Sequence, residues 1–397
     1  MSLMEFLLDL STDPLAMVRF RRDRRKALEE AKLSESERDA VLGGNPKTLR
    51  TMLLQMGTGK TPNGVSASSV PMQPGPTPTP EPELEIEPPE PVELNPPPDP
   101  LPPSPVIIQP PPDVDVDVDA DEATSVAPAT WCMDQFDSMW ESEGLTVVGL
   151  GIRGGLQTTP EAQLCIRDSG KVLYLVADPI SEAWIQKLNR SSESLSGFYE
   201  TGKRRIDIYN NIVERIMERL RECREVCLVL YGHPGVLAYP ARESMKRARR
   251  EGFPARMFPG VSAEDNLFAD LGVDFGATGL QSYEVTRFLV HRYQFDPSAG
   301  LVLWQIGVLG ETKWNPPHTA VRGRLKILAE YLARYYGPEH EVVLYHAPEV
   351  VTGRPRAESL ALSQLPTAEV LTISTLYVPP RCQPRRDTEA ERELMNA

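Results

Sequence analysis

The chain has 397 residues, 41% of them hydrophobic, which is enough to bury the cores of two or three domains. Its net charge of −14 arises between residues 61 and 140, which hold 15 acidic and no basic residues, whereas residues 141–397 carry −1. The near-neutral remainder argues against partners such as nucleic acid or an anionic membrane, and no apolar run is long enough to span a bilayer. Glu5 and Asp9 stand where a signal peptide is basic and then apolar, so we expect a cytoplasmic protein.

Residues 1–58 carry clear helix boundaries. Asp13 before Pro14 predicts a cap and a first helical turn, and Ser34 with Glu37 has the spacing of a capping box. Asn45 with Pro46 predicts a third helix. These signals predict a small all-α module over residues 1–58.

Residues 59–140 change character. Proline supplies 21 of the 80 residues from 61 to 140, and it denies the backbone its hydrogen-bond donors while the acidic residues repel one another. We therefore predict a disordered linker, here called the tether. Within it, Asp113–Asp119 alternates Asp and Val, which is typical of a strand or a strand-like ligand and equally of a solvated acidic run.

Residues 141–380 alternate strand-like and helix-like segments, which predicts an α/β fold of two subdomains, 141–260 and 261–380, followed by a tail at 381–397. The predicted strands are 145–150, 171–177, 226–230, 254–258, 300–306, 341–345 and 370–374. The predicted helices are 159–167, 205–223, 240–251, 263–271 and 318–336.

Two Gly/Pro-rich loops about thirty residues apart carry the strongest functional signal. Tyr231–Val236 and Pro259–Asp265 each follow a predicted strand. Open α/β sheets bind ligands beyond the carboxyl ends of their strands, and Gly and Pro let the backbone approach a ligand closely. Each loop alone is an ordinary turn as often as a site, but together they predict a ligand pocket.

Two short motifs resemble nucleotide-binding loops without their context. Gly149, Gly151 and Gly154 follow a strand with the spacing of a dinucleotide fingerprint, but the candidate acidic residue, Asp178, comes too late. Gly57–Thr61 lacks the first glycine of a phosphate-binding loop and the preceding strand.

Five cysteines are too few and too scattered for a disulfide framework. Cys223 and Cys227 lie four residues apart without a nearby His or Cys to complete a zinc site, so we predict no metal.

Taken in order, the turn at Gly149, the two Gly/Pro loops and the segment Ser196–Tyr209 resemble the tetrapyrrole-methylase fold and, within it, the borosin peptide backbone α-N-methyltransferases. The closing segment Ser374–Pro380 adds to this similarity, and residues 1–56 resemble the helical recognition domain of borosin precursor peptides. In fused members that domain follows the enzyme, whereas here it comes first. The order is permuted, and the position of the substrate segment is open.

The resemblance implies S-adenosyl-L-methionine as the methyl donor. The positions that match the family's donor pocket, together with the glycine turn, are Gly149, Gly151, Tyr231, His233, Val236, Ser262, Ala263, Gln305 and Thr375. His233 is equally interpretable as a structural loop residue. A sulfonium would suit the aromatic face of Tyr231.

The resemblance also implies that Tyr209 is the base, Arg205 its electrostatic partner and Tyr199 a donor to the amide oxygen. A peptide N–H is a poor nucleophile, and tyrosine becomes a base when a neighbouring Arg lowers its pKa from about 10. Arg205 and Tyr209 are four residues apart on a predicted helix and share a face. The family has a further tyrosine where this chain has Ser196, so part of the oxyanion support differs.

The substrate implied is a peptide on the same chain or on the partner subunit of a homodimer. The best candidates for methylation lie in the Val/Asp run: Val114, Asp115, Val116, Asp117 and Val118. Three alternatives stay open: a separate precursor peptide, a corrinoid-type small-molecule substrate, and a non-catalytic binding protein that holds a partner with its module and tether.

Overall fold

The computed structural model describes residues 1–43, 48–49, 51–53, 143–176, 178–315, 322–348 and 352–397. Several sequence predictions lie outside these ranges: the tether, its methylation candidates Val114, Asp115, Val116, Asp117 and Val118, the Gly57–Thr61 motif, and the start of the third predicted helix of the module.

The amino-terminal module is helical, as predicted. Its helices within residues 1–43 are α1 Leu3–Thr12, α2 Pro14–Arg22, α3 Arg24–Glu30 and α4 Glu35–Gly43, and residues 48–49 and 51–53 are also helical. The predicted capping box forms before α4, where the Ser34 amide donates to Glu37 Oε2 at 2.8 Å and the Glu37 amide to Ser34 Oγ at 3.4 Å. Asp13 caps α2 by accepting from the Leu15 amide at 2.8 Å.

Two features of the module were not predicted. Helix α1 begins at its own capping box, formed by Ser2 and Glu5. The helix expected after Asp13 ends at Arg22, because Asp23 leaves the helical region with φ −147° and caps a new helix through the Lys26 amide. The module therefore folds as short helices around an apolar core that includes Phe6, Phe20 and Leu28.

The first sheet of the α/β region, residues 143–380, is parallel throughout. Its strands are β1 Gly144–Gly149, β2 Lys171–Leu175, β3 Ser192–Ser194, β4 Glu225–Leu230 and β5 Ala255–Phe258, in the order β3-β2-β4-β1-β5. The helices among them are α5 Pro160–Asp168, α6 Pro179–Leu188, α7 Arg205–Cys223 and α8 Tyr239–Arg250. Helix α7 packs six buried residues, from Ile208 to Leu220, against one face. Because all strands run the same way, the loops after β4, β1 and β5 emerge side by side.

The second sheet is mixed. Its strands are β6 Leu280–Glu284, β7 Gly300–Trp304, β8 Glu341–His346, β9 Arg356–Ala361 and β10 Thr375–Val378, in the order β6-β7-β10-β8-β9. Only the β6 and β7 pair is parallel among the pairings of these strands. The remaining helices are α9 Ala263–Leu271, α10 Val285–His291, α11 Arg322–Tyr336 and α12 Thr388–Asn396.

One predicted strand is wrong. The β-branched stretch 370–374 forms a turn instead, in which the Leu371 amide donates to Ser374 Oγ at 2.6 Å. The Leu371 carbonyl lies against Gly307, where an added Cβ would be 1.9 Å from that oxygen. The strand is displaced to the next four residues, Thr375–Val378.

The helical module packs directly on the first sheet's helical layer. Helix α1 lies against α6 and against the short 3₁₀ turn Gly154–Leu156. Ile180, from α6, is 3% exposed and belongs to the module's apolar core, while Leu8 of α1 packs against the core beneath α5 and α6. The module and the α/β region form one compact unit.

Candidate active site

Three glycines bring the loops after β1, β4 and β5 into backbone contact. A Cβ added to Gly149 would lie 2.3 Å from the Gly232 oxygen and 3.0 Å from Gly260 Cα. A Cβ added to Gly260 would lie 2.5 Å from the same oxygen. The turn predicted at Gly149 therefore meets both Gly/Pro loops at one point, and only residues without side chains fit there.

The turn after β1 is held by its own hydrogen bonds. Gly151, with φ +72°, forms an antiparallel bridge with Gly232. Gln157 Oε1 accepts from the amides of Ile152 and Arg153 at 2.8 and 2.9 Å. Thr158 Oγ1 donates to the Leu150 carbonyl at 3.1 Å. This segment, residues 150–158, is here called the turn segment.

The Tyr231–Val236 loop presents apolar and aromatic surface to solvent. Tyr231 is 42% exposed and Val236 45%. His233 Nδ1 accepts from the Gly235 amide at 2.9 Å, within the loop itself. This bond helps to shape the loop and leaves Nε2 as the other polar atom of the ring.

Ser262 and Ala263 begin helix α9. Ser262 is the N-cap: its Oγ accepts from the Asp265 amide at 3.1 Å and donates to Asp265 Oδ2 at 2.7 Å. The Ser262 hydroxyl is thus engaged in a capping box, while the Ala263 amide is in the first turn of α9, at the positive end of the helix dipole.

Gln305 and Thr375 lie at one edge of the second sheet. Gln305 follows β7 in the left-handed region with φ +62°, which is rare for a residue with a side chain and often marks a functional site. Thr375 is 3% exposed and pairs with Tyr345 at the end of β8.

A polar chain joins this edge to the turn segment. The Tyr345 hydroxyl donates to Asp270 Oδ2 at 2.7 Å, and Arg153 Nη2 lies 4.0 Å from Asp270 Oδ1. Burial and the Asp270 carboxylate raise the pKa of Tyr345 far above its ordinary value, so its hydroxyl keeps its proton and the hydrogen bond. The two sheets are therefore connected through Arg153, Asp270 and Tyr345.

The candidate catalytic residues form one aromatic cluster. The rings of Tyr199 and Tyr209 have centroids 6.5 Å apart, edge to face, and Tyr199 meets Trp314 at 4.8 Å. On the other side, Tyr209 stacks on Tyr239 at 6.0 Å, and the Tyr239 hydroxyl donates to Asn210 Oδ1 at 3.1 Å. Tyr239 begins the helix that follows the Tyr231–Val236 loop, so the cluster adjoins the predicted donor pocket.

Arg205 lies at the Tyr199 end of the cluster. Its Cζ is 5.7 Å from the Trp314 ring centroid, and its buried Nε has no hydrogen-bond partner. Burial raises the pKa of Tyr199 well above its ordinary value. The neighbouring Tyr209 adds to this rise, and the Arg205 guanidinium opposes it. The Tyr199 phenol is therefore a protonated hydrogen-bond donor at neutral pH.

Trp314 and Tyr239 are components that the sequence prediction missed. Trp314 is more than a hundred residues beyond Tyr199 in the chain, and it is placed by backbone pairing: the Trp314 amide donates to the Lys203 carbonyl at 2.9 Å. The Arg205 amide donates to the Thr312 carbonyl at 2.8 Å. Only the tertiary fold brings these segments together, so no local sequence signal identifies Trp314.

The structure also explains the discarded motifs. Asp178 is the N-cap of α6, and its Oδ1 accepts from the amides of Ile180 and Ser181 at 3.0 and 2.9 Å. Cys223 is exposed at the end of α7, whereas Cys227 is buried within β4. Arg224 turns left-handed between them, so the two cysteines are not on one helix.

Within the described ranges, no cluster of three or more His, Cys, Asp or Glu side chains is placed to hold a metal ion. None of the helices in those ranges combines the length and the apolar composition that crossing a bilayer requires.

The described part of residues 143–380 is thus an α/β protein of the two-subdomain class, with one five-stranded sheet in each half and a backbone contact of Gly149, Gly232 and Gly260 among the loops of the first half. The family model of the tetrapyrrole (corrin/porphyrin) methylases matches residues 144–347, so the chain belongs to that family. Its relatives include a methyltransferase and type I borosin cyclic peptide precursor from Coprinopsis marcescibilis, 37% identical over 261 residues. That match covers 64% of this chain and 66% of the relative, so the similarity spans just under two thirds of the relative's length.

A second relative is the methyltransferase and gymnopeptide precursor from Gymnopus fusipes, 35% identical over 272 residues, covering 66% of this chain and 64% of that protein. Among solved structures, a uroporphyrin-III-C-methyltransferase from Thermus thermophilus aligns with a TM-score of 0.44 and 18% identity, covering 62% of this chain and all of that one.

Proposed function

We propose that this protein transfers a methyl group from S-adenosyl-L-methionine to backbone amides of a peptide segment of its own chain. The observation that carries the proposal is the stacking of Tyr209, which also contacts Tyr199, on Tyr239, the first residue of the helix that follows the Tyr231–Val236 loop. The relatives support it, since they are named as methyltransferases that are also precursors of cyclic peptides.

The residues around the glycine contact are compatible with a cationic donor. The contact of Gly149, Gly232 and Gly260 fixes the loop that carries Tyr231, and the exposed Tyr231 offers an aromatic face to a sulfonium. When bound, the donor supplies an electrophilic methyl group on a positively charged sulfur. Further contacts would come from His233, Val236, Ser262, Ala263, Gln305 and Thr375, with Gly151 in the adjoining turn.

The tyrosine cluster supplies the groups that amide methylation requires. Tyr209, acting as a phenolate, would take the N–H proton on its oxygen and become a neutral phenol, while Tyr199, which stays protonated, would donate to the amide oxygen that gains negative charge. The amide nitrogen then forms the N–CH₃ bond as the S–CH₃ bond breaks, with the electron pair leaving on sulfur. Arg205, whose Cζ lies over the Trp314 ring, would support this charge from the Tyr199 end of the cluster.

The tether gives the substrate its reach. An extended polyproline chain of its length would span tens of ångströms at about 3.1 Å per residue, and a fused segment would have a high effective concentration at the site. We propose the methylation sites among Val114, Asp115, Val116, Asp117 and Val118, which have free N–H groups that the neighbouring Pro110–Pro112 lack.

Fragment mass spectrometry of the full chain after incubation with S-adenosylmethionine tests this function. We expect backbone fragments from within residues 106–130 to carry mass increments of one methyl group per modified residue. We expect no increment in Tyr209→Phe, which keeps the aromatic stacking. An unmodified wild-type chain that methylates a separate peptide would select a different substrate, and no transfer at all would refute the activity.

Transfer between subunits of a homodimer is a further part of the proposal. We would mix unlabelled wild type with ¹⁵N-labelled Tyr209→Phe and sort the peptides by isotope. Methyl groups on labelled peptides would demonstrate transfer to a second chain, whereas their restriction to unlabelled peptides would assign it to a single chain.

A further inference from the structure

The helical module touches the turn segment at a point that leaves no room for change. A Cβ added to Gly155 would lie 2.4 Å from the Ser11 carbonyl oxygen of α1 and 3.4 Å from Trp184 Cε2. Leu156 packs against the module's core, and Leu8 of α1 packs beneath α5 and α6. The carboxyl end of α1 therefore rests backbone to backbone on the turn segment.

Hydrogen bonds within the turn segment hold its two ends together, so we expect the segment to move as one body. The single hydroxyl hydrogen of Thr158 is shared between the Leu150 and Gly154 carbonyls, which lie 3.1 and 3.0 Å from Oγ1. Gln157 Oε1 accepts from two amides of the same segment. A shift at Gly155 consequently moves the whole segment rather than one residue.

The far side of the segment is bonded to both loops of the donor pocket. The Gly151 and Gly232 backbones exchange hydrogen bonds of 3.3 and 2.9 Å. Gln157 Nε2 donates to Asn266 Oδ1 at 2.8 Å, and Asn266 Nδ2 donates to the Ser262 carbonyl at 2.8 Å. An uninterrupted set of contacts thus runs from Ser11 to the cap of α9.

We propose that the module is a positioning element for the methyl donor, in addition to any part it has in presenting substrate. Packing of α1 on Gly155 holds the turn segment, and through it the Gly151 and Gly232 contact, in the geometry that binds the donor. This inference rests on the proposed function, because it takes the loops that meet at Gly149, Gly232 and Gly260 as part of the donor site.

Coupling of this kind is reciprocal. If packing of the module tightens donor binding by a given factor, donor binding must stabilise the packed module by the same factor. The inference therefore predicts an effect in the unmodified chain as well as in variants.

Donor affinity in Gly155→Val tests the inference directly. With S-adenosylhomocysteine as the probe and calorimetry on the full chain, we expect the Kd to rise at least about fivefold, the lower end of typical coupling. Gly170→Val is the matched control, since a Cβ there meets only the flexible end of Glu225 at 3.5 Å, and we expect its Kd to stay within about twofold. Leu8→Ala, which removes a contact and adds none, should weaken binding in the same direction if Gly155→Val fails to fold.

Hydrogen exchange of residues 3–12 in the wild type gives the reciprocal measurement. We expect S-adenosylhomocysteine to slow exchange in α1 by the factor that Gly155→Val loses in affinity. Failure of the wild type to bind S-adenosylhomocysteine would refute the proposed function itself. Normal donor binding with unchanged exchange in α1, or with equal Kd values in the variants and the control, would overturn the inference alone.

Discussion

The contact between the three glycines makes a sharp prediction about Gly149→Ala. Ordinary contacts of a Cβ begin at 3.4 Å, whereas this Cβ would stand 2.3 Å from the Gly232 oxygen and 2.7 Å from Pro234 Cδ. Neither neighbour can rotate away, since one is backbone and the other a proline ring. The loops after β1 and β4 must therefore separate by about 1 Å.

The expected magnitude follows from the cost of overpacking. Forcing extra atoms into a packed site costs about 1 to 3 kcal/mol, against a gain of about 0.4 to 1 kcal/mol from the lower entropy of the unfolded alanine chain. For a domain of this size each kcal/mol shifts Tm by roughly 2 to 4 °C. We expect Gly149→Ala to lower Tm by several degrees and to abolish most of the stabilisation by S-adenosylhomocysteine.

Thermal unfolding by circular dichroism, with and without S-adenosylhomocysteine, is the assay. Gly170→Ala receives the same methyl group in open surroundings and should leave both values unchanged or raise Tm slightly. If Gly149→Ala matched this control in Tm and in ligand-induced shift, the three loops would not meet as described.

The remaining predictions concern the aromatic cluster and one buried histidine. Tyr199→Phe should lower the methylation rate at saturating donor by about 10²- to 10³-fold without changing donor affinity, measured by single-turnover kinetics, because it removes one donor to the developing charge; an unaltered rate would exclude that role. Trp314→Leu, which removes the ring beside Tyr199 and beneath Arg205, should lower kcat by up to about thirtyfold, since it loses two aromatic contacts worth about 1 kcal/mol each; a loss confined to Tm would mean that Trp314 is only structural. Burial lowers the pKa of His346, the charge of Arg356 lowers it further, and the ring nitrogens have no hydrogen-bond partners. Below about pH 6.5 the unfolded chain therefore binds a proton at His346 that the folded chain does not. The free energy of unfolding should fall as the pH drops through this range, by at most about 1.4 kcal/mol per pH unit. His346→Leu should reduce the pH dependence of the urea-denaturation midpoint below about pH 6.5. If the midpoint of the variant changed with pH as steeply as that of the wild type, the pH dependence would belong to other groups.

Strong local signals account for what the sequence predicted correctly. Helix α7 matches its predicted bounds because its apolar spacing continues to Cys223, where Arg224 turns left-handed, and Ser262 defines the start of α9 as a cap. The edge strands β3 and β9 were missed because they are short or largely exposed, so they lack the apolar alternation that marks a half-buried strand. Helix α6 was missed although Asp178 and Pro179 form its cap and first turn, since the same aspartate was weighed as a nucleotide ligand.

Predicting the site required both the local sequence pattern and the tertiary structure. The Tyr199, Arg205 and Tyr209 segment is local, so its pattern was visible in the sequence. The partners that orient it are not: Trp314 and Tyr239 arrive from separate segments and are placed by backbone pairing and helix packing. The sequence predicts Arg205 as the partner of Tyr209; in the structure Arg205 lies at the Tyr199 end of the cluster, over Trp314, in a position that depends on contacts between the two halves of the α/β region.

The backbone contact of Gly149, Gly232 and Gly260 limits how the pocket can be redesigned. At Gly149 and Gly260 any side chain would displace the backbone of a neighbouring loop, so a directed-evolution library that varies them should return almost only wild-type glycine, whatever activity is selected. Altered donor preference would have to come from the surrounding side chains instead. Tyr231 and Val236, which are exposed, can be varied with little risk to the core, whereas the buried Thr375 allows only substitutions close to it in size.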